Sequence, residues 1–155
     1  MPLRAFLTRF DSVASYLQSP LLLIIRLYWG WSFAQTGWGK LTLLERTTNF
    51  FASLNLPAPK LNAIMAGGTE CLGGILLALG LFARPASVPL IFCMVVAYWT
   101  ADREAVVALT SDPDKFVSAA PFLFLLASLI VLAFGPGKFS LDALLGRQGV
   151  APKKA

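Results

Sequence analysis

The chain has 155 residues, of which 57% are hydrophobic and only 14% charged, with a net charge of +5. An average soluble domain carries about 25% charged residues, and a chain this short cannot hide so much apolar surface by folding on itself. Composition and a mean hydropathy of +0.69 therefore exclude an ordinary soluble domain. The basic residues sit at the edges of apolar runs, not on a stripe interleaved with aromatics, which argues for lipid headgroups as partners and against nucleic acid. Histidine is absent, which excludes His-ligated haem, His-containing zinc sites and Ser/His or Cys/His catalysis.

Residues 3 to 17 place Leu3, Phe6, Leu7, Phe10, Val13, Ala14 and Leu17 at helical spacing opposite Arg4, Thr8, Asp11, Ser15 and Gln18. This pattern predicts an amphipathic helix lying in the membrane interface over 1–19. A cleaved signal peptide is not expected: the first nineteen residues are mixed, and Arg26 interrupts the first apolar run. Spans follow over about 20–39, 61–82, 85–101 and 116–134, each near the roughly 20 residues needed to cross a hydrocarbon core. Pro20 opens the first span, and the second and third form an antiparallel hairpin through Phe82-Ala83-Arg84-Pro85. Phe50, Phe51 and Leu54 precede Leu56-Pro57-Ala58-Pro59, a short interfacial helix ended by a proline turn. After Gly135-Pro136-Gly137, Ser140 is placed to cap a last amphipathic turn, and Lys153 and Lys154 end a frayed tail.

The predicted fold is all-α: an integral membrane four-helix bundle over 20–134, flanked by an interfacial helix over 1–19 and an interfacial tail over 135–155. Outside the spans one side holds seven basic residues (Arg4, Arg9, Arg84, Lys138, Arg147, Lys153, Lys154) and the other five (Lys40, Arg46, Lys60, Arg103, Lys115). The excess favours cytoplasmic N- and C-termini.

Two charges lie inside predicted spans, Arg26 and Glu70. A charge in hydrocarbon needs a partner or a cavity, so they are expected to meet. Two readings stand: an ion pair that fixes helix register, or a polar pocket for a quinone headgroup. Ala63, Gly67, Glu70, Gly74 and Ala78 share one helical face, and Arg26, Gly30, Phe33 and Gly37 share another. These small-residue faces are expected to pack together, or else to leave a groove for a flat ring. Trp31, Gln35 and Trp38 share a third face on which Gln35 could hydrogen-bond a ring, with Tyr98 as a proton-carrying neighbour; lipid-facing packing is the plainer account. The acidic residues Asp102, Glu104, Asp112 and Asp114 match no calcium loop and read as a solvated loop. Cys71 and Cys93 read as packing residues in adjacent spans, with a redox pair as the alternative. No metal, haem, iron–sulfur or nucleotide site is visible.

Several elements in order resemble a known family: Arg26-Leu27, Gly37-Trp38-Gly39-Lys40-Leu41, Phe50-Phe51-Ala52-Ser53-Leu54-Asn55-Leu56-Pro57, Gly68-Thr69-Glu70-Cys71-Leu72-Gly73-Gly74, Gly80-Leu81-Phe82-Ala83-Arg84 and Gly135-Pro136-Gly137-Lys138-Phe139-Ser140-Leu141-Asp142. Together, over about 20–145, they resemble the DoxX family of prokaryotic four-helix membrane proteins. The resemblance implies a bacterial or archaeal cytoplasmic membrane and a link to quinone-coupled oxidoreduction, including a subunit of thiosulfate:quinone oxidoreductase. It also implies membrane complexes that handle thiol or oxidative stress. Arg26 and Glu70 match the family's first-span arginine and second-span glutamate. Where members often carry a histidine before the first-span glycine and lysine, this chain has Gln35-Thr36, which removes a titratable group but keeps hydrogen-bonding capacity. The expectation is a membrane subunit of a quinone-linked redox complex, binding quinone or lipid near Arg26, Glu70, Trp31 and Gln35, with no catalytic residue assigned. A non-catalytic structural or assembly subunit is the alternative, and a small transporter is a third reading.

Overall fold

The computed structural model describes residues 2–146, with side chains from Phe10 onward except at residues 11–13. The C-terminal Lys153 and Lys154 lie outside the described residues. Among the described residues, eight α-helices run in order: α1 (Pro2–Thr42), α2 (Leu44–Ser53), α3 (Pro59–Leu79), α4 (Ala83–Thr100), α5 (Arg103–Val107), α6 (Pro113–Ser118), α7 (Pro121–Phe134) and α8 (Leu141–Leu144). A short 3₁₀ turn at Ala108–Thr110 follows α5, and no strand occurs among the described residues.

Helices α1, α3, α4 and α7 form the body, with α1 against α3, α3 against α4, α4 against α7 and α7 back against α1. Phe33, Leu77, Leu90, Met94 and Val131, one or two from each helix, close the centre. Both α3 and α4 are long and apolar enough to cross a membrane, about 31 and 27 Å at 1.5 Å per residue. Small residues set the tightest seam. A Cβ added to Gly30 would lie 2.6 Å from the Ala78 amide nitrogen, and one on Gly74 2.5 Å from that of Ala34. The two small-residue faces expected to pack together do so, leaving no groove between them.

Two boundaries differ from expectation. The helix does not break before Pro20; α1 runs straight through it for 41 residues. A proline inside a helix forfeits one backbone bond and crowds the carbonyl four residues earlier, and the chain absorbs that here. The span expected over 116–134 starts later, because Pro121 has no N–H to continue α6; Ala119 turns extended (ψ 143°) and α7 begins at Pro121. The resulting 14-residue helix is about 21 Å long.

The turn from α3 to α4 is completed from far along the chain. Gly80 and Phe82 both take left-handed φ (65° and 47°), which reverses the chain in three residues. The Asp142 carboxylate then accepts from the amides of Phe82 and Ala83 at 2.9 and 3.0 Å. Ser140 caps α8 as expected, its Oγ accepting from the Ala143 amide at 3.1 Å.

Candidate functional site

The glycine contacts fix the register of α1 against α3. Gly30 faces Gly74 and Ala78, while Gly37 faces Gly67 and Cys71. Because the helices are antiparallel, Arg26 lies level with the turn at 80–82, whereas Glu70 lies level with Thr36 and Gly37. The expected Arg26–Glu70 pair therefore does not form. Each charge has other partners.

Arg26 is fully buried. Its Nη1 donates to the carbonyls of Leu77 (3.3 Å) and Ala78 (3.2 Å), and its Nη2 donates to Phe139; Nε is buried without a partner. The carbonyls of Leu77 and Ala78 belong to the last turn of α3, where a helix leaves acceptors unpaired and a cation is favoured. Arg26 thus fastens the segment after α7 to the α3–α4 turn.

Glu70 sits on α3 with only 3% of its side chain exposed, and its partner is Lys40, 31% exposed, near the end of α1. The Lys40 ammonium reaches both carboxylate oxygens. Thr36 Oγ1 lies 3.3 Å from Glu70 Oε2 and 3.0 Å from the Phe33 carbonyl, so its single proton serves one at a time. Sequence reading missed Lys40 as the partner. The available signal was depth: counted from their shared membrane face, Arg26 and Glu70 differ by about six residues, about 9 Å, whereas Lys40 approaches Glu70 from the opposite end.

The ion pair forms the floor of a cavity of about 380 Å³ between α2, α3 and α4. This falls within the roughly 300–1,000 Å³ of small-molecule sites. Phe50, Phe51 and Leu54 wall it from α2, Met65 and Thr69 from α3, and Phe92, Cys93 and Ala97 from α4. Helix α2 carries no buried residue, since its aromatic side chains face this open cleft instead of a core. The short helix expected around Phe50 and Phe51 is present, and it forms one side of the cavity.

The other singled-out residues stand apart from this cavity. Trp31 and Gln35 lie on the exposed outer face of α1, in a shallow groove with Ile24, Leu27, Tyr28 and Ser32. The Tyr98 hydroxyl donates to the Phe116 carbonyl at 2.8 Å, and its ring stacks on Phe116 at 4.5 Å; it does not line the cavity. Cys71 and Cys93 are both free thiols. In the loop after α4, Glu104 pairs with Lys115 at 3.3 Å, an exposed contact of little energetic weight.

The DoxX family profile matches residues 21–103. The chain is 36% identical over 128 residues to the inner membrane protein YphA of Escherichia coli, covering 79% of this chain and 88% of that one. It is 31% identical over 144 residues to the uncharacterized membrane protein Rv3486 of Mycobacterium tuberculosis, covering 85% of each. No solved structure matches it. An all-α chain with two helices fit to cross a bilayer, matched by the DoxX profile over more than half its length, belongs to the DoxX family and is a bacterial membrane protein.

Proposed function

We propose that the chain binds one amphiphilic molecule, a quinone or a lipid, in the cavity between α2, α3 and α4, with its head against Lys40 and Glu70. In this reading it serves as a membrane subunit of a quinone-linked redox complex. The observation that carries it is the Lys40–Glu70 ion pair, its carboxylate buried, at the floor of a mostly apolar cavity of about 380 Å³. An apolar cavity with a few convergent polar groups is the usual form of a small-molecule site.

An ammonium has three protons, and Lys40 uses two on Glu70, so one remains for a headgroup oxygen. Reduction of a quinone takes two electrons and two protons. Glu70, next to the head, would pass the protons; a reduced partner subunit would supply the electrons, since the sequence shows no ligand set for haem or an iron–sulfur cluster and no dinucleotide fingerprint. Arg26, Trp31 and Gln35 leave the proposed site on this reading, and Lys40 enters it. Four spans, formed by α3, α4, α7 and the second half of α1, with both termini cytoplasmic, complete the proposal.

The alternative is a non-catalytic structural or assembly subunit, favoured by the fact that Lys40 and Glu70 satisfy one another. Purification in mild detergent, solvent extraction and mass spectrometry separate the two. The expected result is quinone or one lipid at about one per chain, lost in Ala97→Trp, which fills the cavity wall and leaves the ion pair intact. A folded protein that yields no bound molecule, or the same yield from the Ala97→Trp variant, refutes the binding reading.

A further inference from the structure

The outer face of α1 carries a feature that the body of the protein does not use. Phe10, Leu17, Ile24, Trp31 and Trp38 recur every seven residues, and each is more than 60% exposed. A second seven-residue series, at positions 14, 21, 28, 35 and 42, interleaves with it at alternating steps of three and four, and every member is exposed. With Ala14, Leu21 and Tyr28 of that series apolar and Gln35 and Thr42 polar, this is the spacing of coiled-coil a and d positions over more than four heptads of one helix. Packing within the chain does not explain it, because α1 buries the opposite face against α3 through Gly30, Phe33 and Gly37.

Within this seam Gln35 is the one amide, exposed and without a hydrogen bond among the described residues. It is level with Cys71 to Gly74 of α3, within about 5 Å of that helix's middle at 1.5 Å per residue. On the four-span reading proposed above, no water reaches that depth, and an unpaired amide in hydrocarbon is costly. Next to the seam, Gly39 has open space where a Cβ would stand, so no contact inside the chain requires a glycine there. A small residue beside a membrane-helix seam permits close approach.

We infer that two copies of this chain associate through α1, as a parallel coiled coil with Gln35 paired to Gln35 across a twofold axis. All copies insert in the same orientation, so an axis along the membrane normal sets α1 parallel to its counterpart and each seam position against itself. A side-chain amide both donates and accepts, so it satisfies its own copy and no other partner is needed. The strict seven-residue period gives the pair a left-handed supercoil. The seam also continues into the first half of α1. At 1.5 Å per residue the 41-residue helix is about 61 Å long, twice the roughly 30 Å hydrocarbon core. A second copy therefore covers Phe10, about 42 Å along the helix from Trp38 and so out of reach of the same bilayer core.

The test uses the full chain in native membranes, with Cys71 and Cys93 replaced by alanine and single cysteines introduced. Under mild oxidation, Ile24→Cys, Trp31→Cys and Gln35→Cys are expected to give a disulfide dimer of twice the chain mass, while the exposed controls Val95→Cys and Leu129→Cys do not. In the otherwise native chain reconstituted in bilayers, Gln35→Leu weakens self-association about tenfold and Gln35→Asn restores it, with the occupancy of the α2–α3–α4 cavity unchanged. Cross-linking at the control sites as strong as at the seam overturns the inference. So does a Gln35→Leu chain that associates as tightly as its parent, or seam cysteines that capture a different protein instead of a second copy.

Discussion

Replacing Lys40 with methionine removes the counter-ion of a carboxylate whose side chain is 3% exposed. Breaking a buried ion pair from one side costs about 3–5 kcal/mol. Lys40 is itself 31% exposed, which puts this pair at the low end, near 3 kcal/mol. The Thr36 hydroxyl can turn from the Phe33 carbonyl to Glu70 and return about 1 kcal/mol. The expected loss is thus about 2–3 kcal/mol, a 30- to 150-fold rise in the unfolded fraction at about 1.4 kcal/mol per tenfold. Equilibrium unfolding by SDS in mixed micelles, followed by the fluorescence of the four tryptophans, measures it directly. Lys40→Met/Glu70→Leu, with both charges gone and apolar groups in their place, should return to within about 1 kcal/mol of the parent. If Lys40→Met is as stable as the parent, or the double variant is worse than the sum of the singles, the two residues are not energetic partners.

Two further outcomes follow from the packing. Gly30→Leu places a branched side chain where even a Cβ would lie 2.6 Å from the Ala78 amide nitrogen; α1 and α3 must separate, and thermal unfolding in detergent should show a loss of at least about 1–3 kcal/mol. Arg26→Lys should not rescue Arg26→Met: Arg26 serves three carbonyls on two segments through a planar fork, which a point ammonium cannot copy. Trypsin cleavage after the exposed Lys138 should accelerate to a similar degree in both variants.

The helices were legible because apolar runs near twenty residues have few alternatives in a bilayer. Gly67, Gly74, Gly30 and Gly37 announced the close seam for the same reason: only small residues let helix backbones touch. The charge pairing was not legible from those stripes. Arg26 and Glu70 share the faces that meet, and face sharing says nothing about height. The register that separates them comes from which glycine lies opposite which backbone atom. Lys40 looked like the end of a span, yet it reaches back along α1 to Glu70. The break at Ala119 goes with Pro121, whose missing amide outweighs the apolar run on either side of it. The role of Asp142 left no local trace, since it caps amides 60 and 59 positions earlier in the chain.

That last separation bears on how the molecule is made. A nascent chain is made from its N-terminus, so α3 and α4 are complete before Asp142 has been synthesised. Until then the amides of Phe82 and Ala83 lack their carboxylate, and the carbonyl of Phe139 is not yet there for Arg26. The two helices long and apolar enough to cross a membrane are the ones whose connection is finished last. A product released before residue 142 would keep its hydrophobic hairpin and lack the lock on it.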